Sequence, residues 1–108
     1  MTGLVDAHFH IWRQADLPWL LGPMQPRIFG PYEPIRRDYP VEEYLADCRP
    51  EGITEAVYVQ ANWAPERALD EVRFVAESAR RAAFPIAIVA YADMLAEDIR
   101  PQLDALTA

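Results

Sequence analysis

Both histidines of the chain fall within its first ten residues, two apart, in the run Asp6-Ala7-His8-Phe9-His10. If that run is extended, alternate side chains share a face, with Cα atoms about 6.5–7 Å apart. Two imidazoles so placed can converge on one divalent ion while each keeps a ring nitrogen for an orienting partner. The competing reading is that both rings simply face solvent or a polar rim. Asp6 either orients a ligand from below or hydrogen-bonds neighbouring strands.

Further candidates follow. Gln60, with Asn62 and Trp63 after it, either presents an amide to substrate or is a strand-end amide satisfied by backbone. Arg36 and Arg37 either grip a substrate carboxylate as a fork or make surface ion pairs with Glu33, Asp38 or Glu42. Trp12 and Trp19 either wall a pocket or pack the loop that carries them.

The elements that must position these groups alternate along the chain. Leu4 to Ile11 reads as a strand, with Val5, Ala7 and Phe9 on one face and Asp6, His8 and His10 on the other. A long stretch from Arg13 to Pro40 holds six prolines, two glycines and several aromatics, and is expected to be an ordered loop rather than a linker. Pro40 opens a helix through Val41, Tyr44 and Leu45 that stops near Pro50 and Gly52.

Ile53 to Ala61 is the second strand, and Pro65 starts a helix with the apolar stripe Leu69, Val72, Val75 or Ala76, and Ala79, ending near Ala83. Pro85 to Tyr91 is nearly all apolar, as expected of a strand covered on both faces. A last helix spans roughly Ala96 to Leu106, with Pro101 delaying or kinking its start and Asp93 initiating the turn before it. The order β-α-β-α-β-α predicts a parallel sheet with crossover helices.

The opening Val5-Asp6-Ala7-His8-Phe9-His10-Ile11-Trp12 resembles the first-strand signature of the amidohydrolase superfamily. It is more similar still to the amidohydrolase-related (amidohydrolase 2) branch, which includes fuconolactonase-like and pyrone-dicarboxylate-lactonase-like enzymes. Three later stretches fit in the same order: Ile35-Arg36-Arg37-Asp38-Tyr39, Ala56-Val57-Tyr58-Val59-Gln60-Ala61, and Ile88-Val89-Ala90-Tyr91-Ala92-Asp93-Met94. The resemblance implies a (β/α)₈ barrel, a TIM barrel, of which residues 1–108 supply the first three βα units. A barrel of this kind needs roughly 250 residues and builds its active site at the C-terminal ends of its strands, where the histidine pair falls.

It further implies a hydrolase in which water attacks a lactone or amide-like carbonyl of a small, carboxylate-bearing metabolite. His8 and His10 match the catalytic first-strand pair, which binds a divalent metal, often zinc, in many members; some lactonases of the branch work without metal. Gln60, Arg36, Arg37 and Trp12 are the expected substrate contacts. The family's remaining histidines and its catalytic aspartate match no position here, so the chain alone is expected to be inactive. It would be completed by another chain or self-associate. The rival reading is a non-catalytic α/β module that associates through open sheet edges.

Composition narrows the classes. Just over half the residues are hydrophobic, which favours a packed domain over disorder, and 108 residues suffice for one. A net charge of −7 repels phosphate backbones, and no arginine stripe alternates with aromatics, so no nucleic-acid partner is expected. Asp6 and His8 interrupt the opening apolar residues and later apolar runs are short, so no signal peptide, membrane span or membrane partner is expected. Cys48 stands alone, which excludes an internal disulfide, suits a reducing cytoplasm and reads as a small residue on a helix. The pairs Glu42-Glu43 and Asp70-Glu71 read as solvated helix faces.

Overall fold

The computed structural model describes residues 3–107. Three parallel strands, β1 (Leu4–Phe9), β2 (Ile53–Val59) and β3 (Ile86–Val89), form one sheet in the order β1-β2-β3. Four helices accompany them: α1 (Pro18–Leu21), α2 (Val41–Cys48), α3 (Ala68–Ala82) and α4 (Arg100–Thr107). Gly52 ends the turn after α2 at φ 82°, a left-handed conformation that glycine adopts without steric cost. Pro101 occupies the second position of α4, where its missing N–H costs nothing, and the helix starts late for that reason.

The expected (β/α)₈ barrel is not what the chain forms. The sheet is open: β1 and β3 each pair with β2 only, and three strands cannot curl far enough to meet. The chain is a small α/β domain. Helices α2 and α3 cover one face, where Phe9, Ala56 and Tyr58 pack against Tyr44, Leu45, Cys48, Val75 and Phe84. Cys48 is a free, buried residue of that core.

The other face is bare. Val5 is 55% and Val89 51% exposed, and Ala87 is exposed as well, so the apolar run of β3 is not explained by cover on both sides.

Two register shifts interrupt the pairing of β1 with β2, and the second separates expectation from structure. Asp6 pairs with Ala56 and Phe9 with Tyr58, so Ala7 and His8 together stand opposite Val57. This bulge resets the alternation. Asp6 and Phe9 both turn toward the helices, whereas Val5, Ala7 and His8 are exposed. Asp6 accepts hydrogen bonds from the Tyr44 hydroxyl of α2 (2.8 Å) and the His8 backbone N–H (3.2 Å), and so acts in the packing of strand on helix.

The proline-rich loop is ordered, as expected. Leu17, Leu20 and Tyr32 bury themselves with Ala61 and Trp63 in a second apolar cluster beyond the ends of β1 and β2. Backbone bonds between Trp12 and Tyr39 in both directions close the loop at its base. Asp16, also buried, accepts from Arg13 (2.6 Å) and from Arg67 (2.9 Å) at the start of α3, tying the loop to the β2–α3 connection.

Candidate functional site

His8 and His10 leave β1 on the same side, and their rings approach through Nε2, 3.3 Å apart. The planes are nearly perpendicular, at 79°. His10 is held from behind: its Nδ1 lies 2.8 Å from the Val59 carbonyl, which can only accept, so Nδ1 donates and Nε2 keeps a lone pair. Burial holds the His10 pKa below its ordinary value, against the bond to Val59; the neighbouring imidazole of His8 lowers it further and the charge of Glu71 opposes. The neutral, ligand-competent form is therefore favoured at neutral pH.

The spacing can be tested against a metal. With zinc–nitrogen bonds of about 2.0–2.1 Å, two nitrogens at the corners of a tetrahedron lie about 3.3–3.4 Å apart. The observed separation fits, and the second ring nitrogen of His10 has the carbonyl partner that metal-bound histidines commonly have. Among the described residues no set of three His, Cys, Asp or Glu is placed to hold an ion together.

A cavity of about 380 Å³ opens in front of the pair, lined by Trp12, Leu17, Trp19, Ile35, Gln60 and Asn62 among others. Trp12 and Gln60 thus share this cavity with the histidine pair. The Trp12 indole donates to the Arg37 carbonyl (2.6 Å), which fixes its ring as a wall. Gln60 accepts from the Asn62 N–H (2.8 Å) through its Oε1, leaving its amide NH₂ available. Asn62 takes φ 60°, a left-handed conformation that asparagine tolerates better than most residues.

The two arginines are elsewhere. Arg36 donates to the carbonyls of Leu20, Leu21 and Gly22 and lies near Glu33, so it closes the C-terminal end of α1. Arg37 is paired with Glu43 (2.7 Å) and stacks on Tyr39. Neither lines the cavity.

The largest omission from the sequence reading is Glu71. Its side chain is buried, not solvated, and its Oε2 accepts from the Tyr58 hydroxyl (2.6 Å) and from the Ala61 N–H (2.7 Å). Desolvation and that bond push the Tyr58 hydroxyl pKa up, keeping it a donor. Tyr58 meets the His10 ring edge-on, and Ala61 lines the cavity. Glu71 thus braces the floor of the site from α3. The available signal was its spacing: it stands four residues before Val75 and seven before Ser78, both buried on the same helix face.

Comparison with known proteins adds one relative. The uncharacterized protein y4mH of Sinorhizobium fredii is 33% identical over 103 residues, which takes in 94% of this chain. The chain spans 35% of that relative's length. No family model matches the chain, and no solved structure matches it.

Proposed function

We propose that the chain carries the metal-binding histidine pair of a hydrolase similar to the amidohydrolase-related enzymes, acting on a lactone or amide-like carbonyl of a small metabolite. The observation that supports this most directly is the 3.3 Å approach of two Nε2 atoms, that of His10 held unprotonated by the bond from its Nδ1 to the Val59 carbonyl and able to exchange the His8 contact for an ion. When bound, a divalent ion such as zinc supplies a Lewis acid and a water of lowered pKa.

The chain's own residues hold and shape the site. Val59 sets the His10 tautomer, Trp12 and Trp19 exclude bulk water from one side of the cavity, and the Gln60 amide offers a donor to a carbonyl oxygen. No carboxylate lines that cavity, so a proton acceptor and further ligands must come from outside the described residues. The chain by itself is therefore proposed to bind metal without turnover. Activity, substrate and any completing polypeptide belong to the same proposal.

The test is a zinc titration of the isolated chain, followed by the ring resonances of both histidines. Before zinc, His10 should report the Nδ1–H tautomer; with zinc, both rings should shift together at one equivalent. Zinc that leaves either ring unmoved overturns the reading.

A second reading, association through the sheet without chemistry, draws on the bare face and the two open edges. Sedimentation velocity addresses it: self-association that deepens with concentration supports this reading, and a monomer throughout counts against it. No helix among the described residues is long and apolar enough to cross a membrane.

A further inference from the structure

The carboxylate that resemblance expects on a substrate finds no partner at the histidine pair. Arg36 and Arg37 are engaged with backbone carbonyls and with Glu43. Among the described residues no arginine lines the cavity of about 380 Å³ in front of the pair. Its walls are instead aromatic and aliphatic: Trp12, Trp19, Leu17 and Ile35.

Both indoles are fixed so that they offer carbon to that space. The Trp12 N–H is committed to the Arg37 carbonyl (2.6 Å) and the Trp19 N–H to the Ala61 carbonyl (3.0 Å). A tyrosine backs each ring, Tyr39 at 5.1 Å from Trp12 and Tyr32 at 5.8 Å from Trp19 between ring centres. Walls held in place before a ligand arrives lower the ordering cost of binding. Gln60 supplies the polar group beside them. Its Oε1 already holds the Asn62 N–H, so its NH₂ is left to donate.

We propose that this cavity selects an uncharged, flat aromatic ring carrying a carbonyl. The ring packs against Trp12 and Trp19, and its carbonyl oxygen accepts from the Gln60 NH₂. A carboxylate would leave water for apolar walls with no cation to meet it, which is costly. A puckered ring would forgo the flat contact with the indoles. Trp12, Trp19 and Gln60 are thereby the specificity-determining residues. That the bound ring is the acyl part of a substrate rests on the hydrolytic reading above; the binding itself needs no metal.

Three probes of nearly equal size test this on the full, metal-free chain: acetophenone, its anionic counterpart benzoate, and the puckered cyclohexyl methyl ketone. The indole N–H resonances of Trp12, Trp19 and Trp63 are followed, since Trp63 lies outside the cavity lining. Acetophenone should shift Trp12 and Trp19 and leave Trp63 in place. Benzoate should bind at least about tenfold more weakly. The puckered ketone should bind about two- to tenfold more weakly.

Gln60→Glu keeps an acceptor for the Asn62 N–H and removes the donor, so it should weaken acetophenone about two- to tenfold. Benzoate or the puckered ketone binding as tightly as acetophenone overturns the proposal, and so do an absence of acetophenone binding and shifts at Trp63 alone. A folded Gln60→Glu variant with unchanged acetophenone affinity removes Gln60 from the recognition and overturns the proposed pose. The zinc titration fails or succeeds independently of these measurements, so the metal reading and the ring reading can be lost separately.

Discussion

Replacing His10 by alanine is expected to lower the zinc affinity of the chain by more than a hundredfold while its thermal melt stays cooperative. Removing only an outer partner of a metal ligand costs about ten- to a hundredfold, and His10 is proposed as a direct ligand. His8→Ala should do the same, since one imidazole alone holds zinc weakly. The fold should survive either change. His8 is exposed, and His10 follows the last residue of β1 and contributes one bond to the Val59 carbonyl. Calorimetry with zinc measures the affinity, and circular dichroism checks the fold. Near-normal zinc binding by either variant would remove that histidine from the site.

Glu71→Ala is expected to destabilise the domain by about 3 kcal/mol, because it leaves two buried donors, the Tyr58 hydroxyl and the Ala61 N–H, without an acceptor at about 1–3 kcal/mol each. A domain of this size has about 5–15 kcal/mol in total, so the loss should be plain in the urea midpoint. Glu71→Gln keeps an oxygen for both donors and should cost less. Zinc affinity should fall only modestly in either variant where it remains folded. A Glu71→Ala variant as stable as the wild type would show that the buried carboxylate does not brace Tyr58 and Ala61.

What the sequence disclosed and what it hid divide along physical lines. Local signals are readable: the order of the three strands and of α2, α3 and α4 (though not α1 within the proline-rich loop), the parallel pairing, the glycine stop at Gly52 and the late start imposed by Pro101 all depend on nearby residues. The shared side of His8 and His10 is readable too, because only Phe9 stands between them. The failures required knowledge of a third dimension. Strict alternation places Asp6 on the histidine face, but a register shift that no residue announces turns it toward the helices.

Glu71 reads as solvated beside Asp70, yet its helical spacing places it with buried Val75. Arg36 and Arg37 sit next to each other in the sequence, yet one closes α1 and the other pairs with Glu43, a choice set by how the loop folds back. The barrel is an expectation of resemblance alone, and the described residues fold as an open three-stranded sheet.

The doubled residue opposite Val57 also bears on how this chain should be aligned with its relatives. Dropping Ala7 would leave Asp6 across from Ala56, Phe9 across from Tyr58 and both imidazoles on their present side. A homologue with one residue fewer between the aspartate and the first histidine would thus present the same groups in the same places. A gap there is structurally silent, whereas a gap two positions later, between the two histidines, would send them to opposite sides of the sheet.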